Sequence, residues 1–189
     1  MKQIITNIYP ITELSEQQLS KAHEKFIKDL QFIDDFAKDD IKAIAKTIGI
    51  QIDEIHYSGF YSQGDGAMFT GTYQYNPNWE NDLKAYAPNE TAVHAIAKNL
   101  EYANDRKDLI ATITHNNSRY YYENTADIIT ITDDDMFINP TYSLYLKDFM
   151  RWMYYHLQKE YDYQMSLEAF KEMALANDYH FDTDGNLKG

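Results

Sequence analysis

The stretch Tyr57-Ser58-Gly59-Phe60-Tyr61-Ser62-Gln63-Gly64-Asp65-Gly66-Ala67-Met68-Phe69 constrains the fold more than any other part of the chain. Two arms rich in β-branched and aromatic residues, Ile52 to Tyr61 and Ala67 to Tyr75, flank the polar turn Ser-Gln-Gly-Asp-Gly. Such side chains suit the pleated, half-buried surface of a strand. Gly64 and Gly66 have no Cβ to oppose a positive φ, and Asp65 tolerates one better than most residues. The pattern predicts a β-hairpin with a glycine-rich tip. Phe60 and Phe69 are expected to anchor the arms, with Ser62, Gln63 and Asp65 exposed at the tip. An Asn-Gly or Asp-Gly pair would close such a hairpin equally well, so the Ser and Gln need a further reason. Either Ser62 and Asp65 bond the backbone of their own turn while Gln63 braces a neighbouring loop, or the three contact a partner.

Helical spacing dominates on both sides of this hairpin. Ser15 with Gln18 three residues on has the form of a capping box. Leu19, Ala22, His23, Phe26, Leu30 and Ile33 then recur at the spacing of one helix face. A second helical stretch has Phe36, Ile41, Ile44, Ala45 and Ile48 inward and Gly49 placed as its C-cap. The acidic residues from Asp34 to Asp40 mark the break between the two. Asn76-Pro77-Asn78 ends the hairpin. Asn89 is placed to cap a helix from Glu90 to about Ala103. Leu109 to His115 alternates as a strand, Asn116-Asn117-Ser118 forms a turn, and Tyr120 to Tyr122 starts a return arm continued by Ala126 to Thr132. After Asn139-Pro140, the residues Leu146, Phe149, Met150, Met153, Leu157 and Tyr161 form the most regular apolar stripe of the chain. Ser166 caps a last helix, and Tyr179 to Leu187 reads as a turn-rich tail. No linker or fixed-period repeat interrupts this order. The expectation is a single α+β domain over residues 1–189, an antiparallel sheet of two hairpins, about four strands, packed by helices on one face.

The 189 residues carry 17 Lys and Arg against 30 Asp and Glu, a net charge of −13. A chain so acidic repels phosphates, and no basic patch is segregated: Lys21, Lys25 and Lys28 share a helical spacing but Glu24 and Asp29 interrupt them. Direct nucleic-acid binding is therefore not expected. Acidic runs occur at Asp34-Asp35, Asp39-Asp40 and Asp133-Asp134-Asp135. They serve solubility, or form a surface that steers onto a basic groove. Seventeen tyrosines add an amphipathic residue enriched both in strands and at interfaces. No apolar run approaches the roughly 20 residues that cross a bilayer, and the N-terminus is too short and polar for a signal peptide. The absence of cysteine excludes disulfides and thiolate chemistry and fits a cytosolic protein.

Catalytic and metal motifs are not evident. The six histidines (His23, His56, His94, His115, His156 and His180) show neither His-x-His nor His-x-x-x-His spacing. Asp182-x-Asp184-Gly185 has the start of a calcium loop without its remaining ligands, so a turn is expected. There is no nucleophile elbow, P-loop or dinucleotide fingerprint. Ser62 with Asp65 lacks a base nearby in sequence; His56 or His115 would have to approach it in space. Arg119 with Tyr120, Tyr121 and Tyr122 is the remaining constellation, read as a cross-strand aromatic ladder beside a solvent-facing Arg or as a contact surface. The candidate binding residues are Ser62, Gln63, Asp65, Arg119, Tyr120, Asp133, Asp134 and Asp135; no catalytic residue, metal or cofactor is assigned.

The string Ser-Gly-Phe-Tyr-Ser-Gln-Gly-Asp-Gly-Ala over residues 58–67 resembles the signature of a family of small phage and prophage proteins, some labelled antitoxins of toxin–antitoxin stability systems. The resemblance runs through Ile11 to Ser15, Ile41 to Ile50, Lys84 to Pro88, Leu157 to Tyr163 and Ala176 to Gly185, in the same order. That family carries a Gly-Arg-Tyr-x-His segment in its second hairpin. Here Arg119 and Tyr120 remain but no His follows, so a role resting on that His does not carry over. The resemblance implies a phage or prophage origin and a bacterial host cytoplasm. Together with the charge and the missing motifs, it suggests a non-enzymatic inhibitor of a nucleic-acid-targeting defence complex, of anti-CRISPR or anti-restriction type. It would act by DNA mimicry or steric blocking. Two alternatives stand beside it: an antitoxin that neutralises a co-encoded toxin, and a small ligand-binding or hydrolase domain built on the Ser62–Asp65 turn.

Overall fold

The computed structural model describes residues 7–103, 109–131, 136–137 and 140–188. In chain order the elements are β1 (Tyr9–Pro10), α1 (Glu16–Asp29), α2 (Asp35–Thr47), β2 (Ile50–Tyr57), β3 (Ala67–Gln74), α3 (Trp79–Tyr86), α4 (Thr91–Ala103), β4 (Ile110–His115), β5 (Ala126–Ile131), β6 (Met136–Phe137), α5 (Pro140–Gln164), α6 (Leu167–Ala176) and β7 (His180–Phe181). Short 3-10 turns at Ile11–Glu13 and Glu123–Thr125 complete the set. The protein is thus α+β with antiparallel pairing throughout, as its pattern of elements predicts. The elements fall into two compact units: Asp34–Gln158, and a second formed by the segments up to Ile33 and from Lys159.

The larger unit is built on the sheet β2-β3-β4-β5-β6. Alternation sorts its two faces. Ile50, Ile52, Ile55, Phe69, Tyr73, Ala111, Ile113 and Ile128 are buried, while Gln51, Gln74, Ile110, Ile129 and Ile131 are exposed. The buried face meets Ile41 and Ile44 of α2, Ile48 just after it, Leu83 of α3, Val93 and Leu100 of α4, and Leu146, Phe149, Met150, Met153 and Leu157 of α5 in one core. The apolar stripe predicted for α5 is completely buried at Met150, Met153 and Leu157.

Phe36 departs from expectation. It is 84% exposed, because the buried stripe of α2 runs through Ala37, Ile41, Ile44 and Ala45. Phe36 lies one residue, about 100°, off that stripe. The acidic break holds: α1 ends at Asp29 and α2 begins at Asp35. Asp34 takes a structural role there, accepting from the Tyr57 hydroxyl at 2.7 Å and from Lys38 Nζ at 2.8 Å. Burial raises the pKa of Asp34, and these two partners more than reverse it, holding the carboxyl below its ordinary range.

The smaller unit packs α1 and α6 around Ala22, Phe170, Ala174 and Phe181. Both predicted caps form. Ser15 and Gln18 make the reciprocal capping box of α1, and Ser166 Oγ accepts from the Ala169 N–H at 3.1 Å. Asp182 organises the C-terminal turn by accepting from the Asp184 and Asn186 backbone N–H groups and the Asn186 side chain, each within 3.1 Å. Its carboxylate faces N–H donors and Lys188 Nζ, an arrangement for a turn and not for a calcium ion.

Candidate functional site: a composite turn

The first hairpin forms, but its connection is longer than the sequence implies. β2 stops at Tyr57 and β3 starts at Ala67, leaving residues 58–66 as the link. A bond from the Ser58 N–H to the Gly66 carbonyl, 3.1 Å, closes its base. Within it the chain takes positive φ at Gly59, Gly64 and Tyr61. Asp65 and Gly66, which tolerate that region, do not use it. Gly66 is instead required by close approach: a Cβ on it would collide with Tyr122 Cβ and lie 3.0 Å from Tyr122 Cα. The chain needs a bare backbone at residue 66 because a second loop lies on it.

That second loop, residues 116–125, corrects the reading of Tyr120 to Tyr122 as a strand arm. These residues form no ladder and no cross-strand aromatic pairs, since their backbone bonds go elsewhere. The Tyr121 N–H donates to Ser58 Oγ at 2.8 Å, and Ser58 Oγ donates to the Tyr121 carbonyl at 3.2 Å. The Tyr122 N–H bonds Thr125 Oγ1 at 3.2 Å. The Tyr121 ring packs between His56, centroids 4.9 Å apart, and His115, 4.8 Å. Ser58, His56 and Tyr121 are therefore the residues that join the two loops, and sequence spacing alone does not single them out.

The candidate residues divide accordingly. Asp65 accepts from the Ser62 N–H at 2.6 Å, and the Asp65 N–H donates to the Ser62 carbonyl at 3.2 Å, so the carboxylate shapes its own turn. Ser62 and Gln63 are exposed, and their side chains make no hydrogen bond among the described residues. The brace expected of Gln63 is made by Ser58. Arg119 and Tyr120 are exposed on the second loop, and the Tyr120 ring lies 3.8 Å from the point where Gly64 would carry a Cβ. The structure thus brings Ser62, Gln63, Asp65 and Tyr120 into one neighbourhood. Asp133, Asp134 and Asp135 lie outside the described residues.

Phe60 packs on Tyr57 and on Tyr154 of α5, centroids 5.5 and 5.7 Å apart, while Phe69 is buried edge-on against Phe149. The Tyr61 N–H bonds the Tyr154 hydroxyl. Burial, then the nearby Asp65 carboxylate, push the Tyr154 pKa up despite that bond. Tyr61, at φ +71°, is 68% exposed, as is much of Tyr155 beside Tyr154. A bulky residue at positive φ is strained by roughly 1–3 kcal/mol. To the expected Tyr120, Tyr61 and Tyr155 thus add exposed rings that sequence spacing does not single out.

No imidazole is bonded to Ser62 or Asp65: His56 Nε2 meets Glu54 at 3.2 Å, and His115 Nε2 meets the Tyr120 carbonyl at 3.2 Å. Among the described residues no three His, Asp or Glu side chains converge as a metal ion would need, and no helix is long and apolar enough to cross a membrane.

The fold and site define an α+β domain carrying a composite, tyrosine-rimmed turn. The chain belongs to the family described as Domain of unknown function (DUF8835), which matches residues 34–167. That match begins where the larger unit begins and takes in both loops of the turn. Neither a curated protein nor a solved structure matches the chain.

Proposed function

We propose that this chain is a non-enzymatic binding protein and that the composite turn is its contact surface. One observation carries the reading. The backbone of the turn is internally bonded, yet the turn presents Ser62, Gln63, Tyr61, Tyr120 and Tyr155 to solvent. Exposed tyrosine supplies large contact area at low entropy cost and is enriched at interfaces. A net charge of −13 favours a basic partner, met rapidly through electrostatic steering. With the resemblance to phage and prophage proteins, this supports a partner of the nucleic-acid-targeting defence type, held by mimicry or steric blocking. Neutralisation of a toxin is the alternative. A pull-down from bacterial lysate with the wild-type chain and Gln63→Ala/Tyr120→Ala tests it. A basic nucleic-acid enzyme retained by the first and lost by the second supports the proposal. A small toxin favours the antitoxin, and equal recovery by both proteins sinks the assigned surface.

A further inference from the structure

The smaller unit contains a cavity of about 500 Å³ between the C-terminal half of α1 and the tail after β7. Its construction follows from Gly185. At φ +78°, and where a Cβ would stand 2.6 Å from the Ala22 N, only glycine lets the tail lie against α1. Lys25 then ties the tail down, donating to the Asp184 carbonyl at 2.8 Å and to Asn186 Oδ1 at 2.7 Å. The walls left open are Phe26, Leu30, Tyr179, Phe181 and Leu187. Such a volume is within the range of about 300–1,000 Å³ that holds small organic ligands, which need an apolar lining and a few polar groups.

The polar groups here are mostly donors. Lys25 has one N–H beyond the two it commits to the tail. Lys28 and Tyr179 line the cavity, and neither the Lys28 ammonium nor the Tyr179 hydroxyl has a hydrogen-bond partner among the described residues. Asp29 is the single carboxylate of the lining. Two lysines against one aspartate make this a locally cationic cavity in a chain of net charge −13. We propose that the cavity is a binding site for a small amphipathic anion, an apolar body seated on Phe26, Tyr179, Phe181 and Leu187 with a carboxylate held by Lys25, Lys28 and the Tyr179 hydroxyl. Every residue of the lining lies outside the family match at 34–167. The site shares no residue with the composite turn and does not rest on the reading of that turn.

The test is titration of the full chain with dodecanoate below its micellar concentration, followed by amide NMR, with dodecyltrimethylammonium as the control of equal chain length and opposite charge. The expected result is saturable binding of one dodecanoate, with shifts centred on Ala22, Phe26, Tyr179 and Leu187, and at least tenfold weaker binding of the ammonium. Lys28→Gln, an exposed position, is expected to weaken dodecanoate at least tenfold while leaving the ammonium unchanged, and Leu187→Asp to weaken both. Absence of saturable binding, shifts elsewhere, equal binding of the two amphiphiles, or indifference to Lys28→Gln would overturn the proposal.

Discussion

Ser58, Asp65 and Gly66 do different work within nine residues, and substitutions separate them. Ser58 accepts from and donates to the Tyr121 backbone, and Gly66 makes room for Tyr122. Gly66→Ala forces that loop away and is expected to cost about 1–3 kcal/mol in urea denaturation, the usual range for overpacking. Asp65→Ala removes the acceptor of the Ser62 N–H and is expected to lower the melting temperature. Gln63→Ala removes nothing structural, so its melting temperature should equal that of the wild type; a clear fall would mean that Gln63 braces the fold. Protonation acts at the same scale. Asp182 is held well below the usual carboxylate range, first by the Asn186 side chain and then by backbone N–H groups and Lys188. Asp34 is held below it as well, by Lys38 and Tyr57 against the cost of burial. A folded pKa below the unfolded value of about 3.9 stabilises above that pH, and the contribution is lost as pH falls through the folded value. Stability is thus expected to decline below about pH 4; Asp182→Asn is expected to be less stable than the wild type at pH 7, by a deficit that shrinks on acidification. A constant deficit down to pH 2 would contradict this.

Among the elements, α5 is the one on which the larger core depends most. Leu157→Ala, at a completely buried position, is expected to destabilise by about 2–5 kcal/mol; a loss under 1 kcal/mol by chemical denaturation would show that the site collapses around the smaller side chain. This helix was legible in the sequence because six apolar residues repeat at its period. The α2 stripe, both serine caps and the strands β2, β3, β4 and β5 were legible for similar local reasons. What local pattern hides is tertiary competition. Tyr120 to Tyr122 have strand propensity, yet side chains take their backbone N–H groups: Ser118 that of Tyr120, Ser58, 63 positions away, that of Tyr121, and Thr125 that of Tyr122. The eight-residue α3 has no clear mark in the sequence, because its buried residues, Trp79 and Leu83, are one turn apart and make no longer stripe. At the candidate site, Ser62 and Gln63 stand out in the sequence as residues a hairpin does not need. Tyr61 and Tyr155 do not, since in a chain with 17 tyrosines only burial tells a core ring from an exposed one.

For the whole molecule, charge and surface have to act together. A net charge of −13 predicts that association with a basic partner slows as salt rises, since charges more than about 8 Å apart are screened at physiological ionic strength. Replacing Asp133, Asp134 and Asp135 together by Asn should mainly reduce the association rate under mimicry; an unchanged rate with no salt dependence leaves steric blocking. The location of contact is a sharper question than its charge. A photo-crosslinking side chain placed at residue 63 stands on the exposed turn, and one at residue 74 stands at the far end of β3, about 23 Å along the strand from Ala67 at the usual rise. Irradiation in bacterial lysate, with mass spectrometry of the products, tests the assignment of the composite turn as the contact surface. The account predicts one dominant adduct from residue 63 to a basic protein, and none to it from residue 74. Adducts of equal yield from both positions, or none from residue 63, would contradict it.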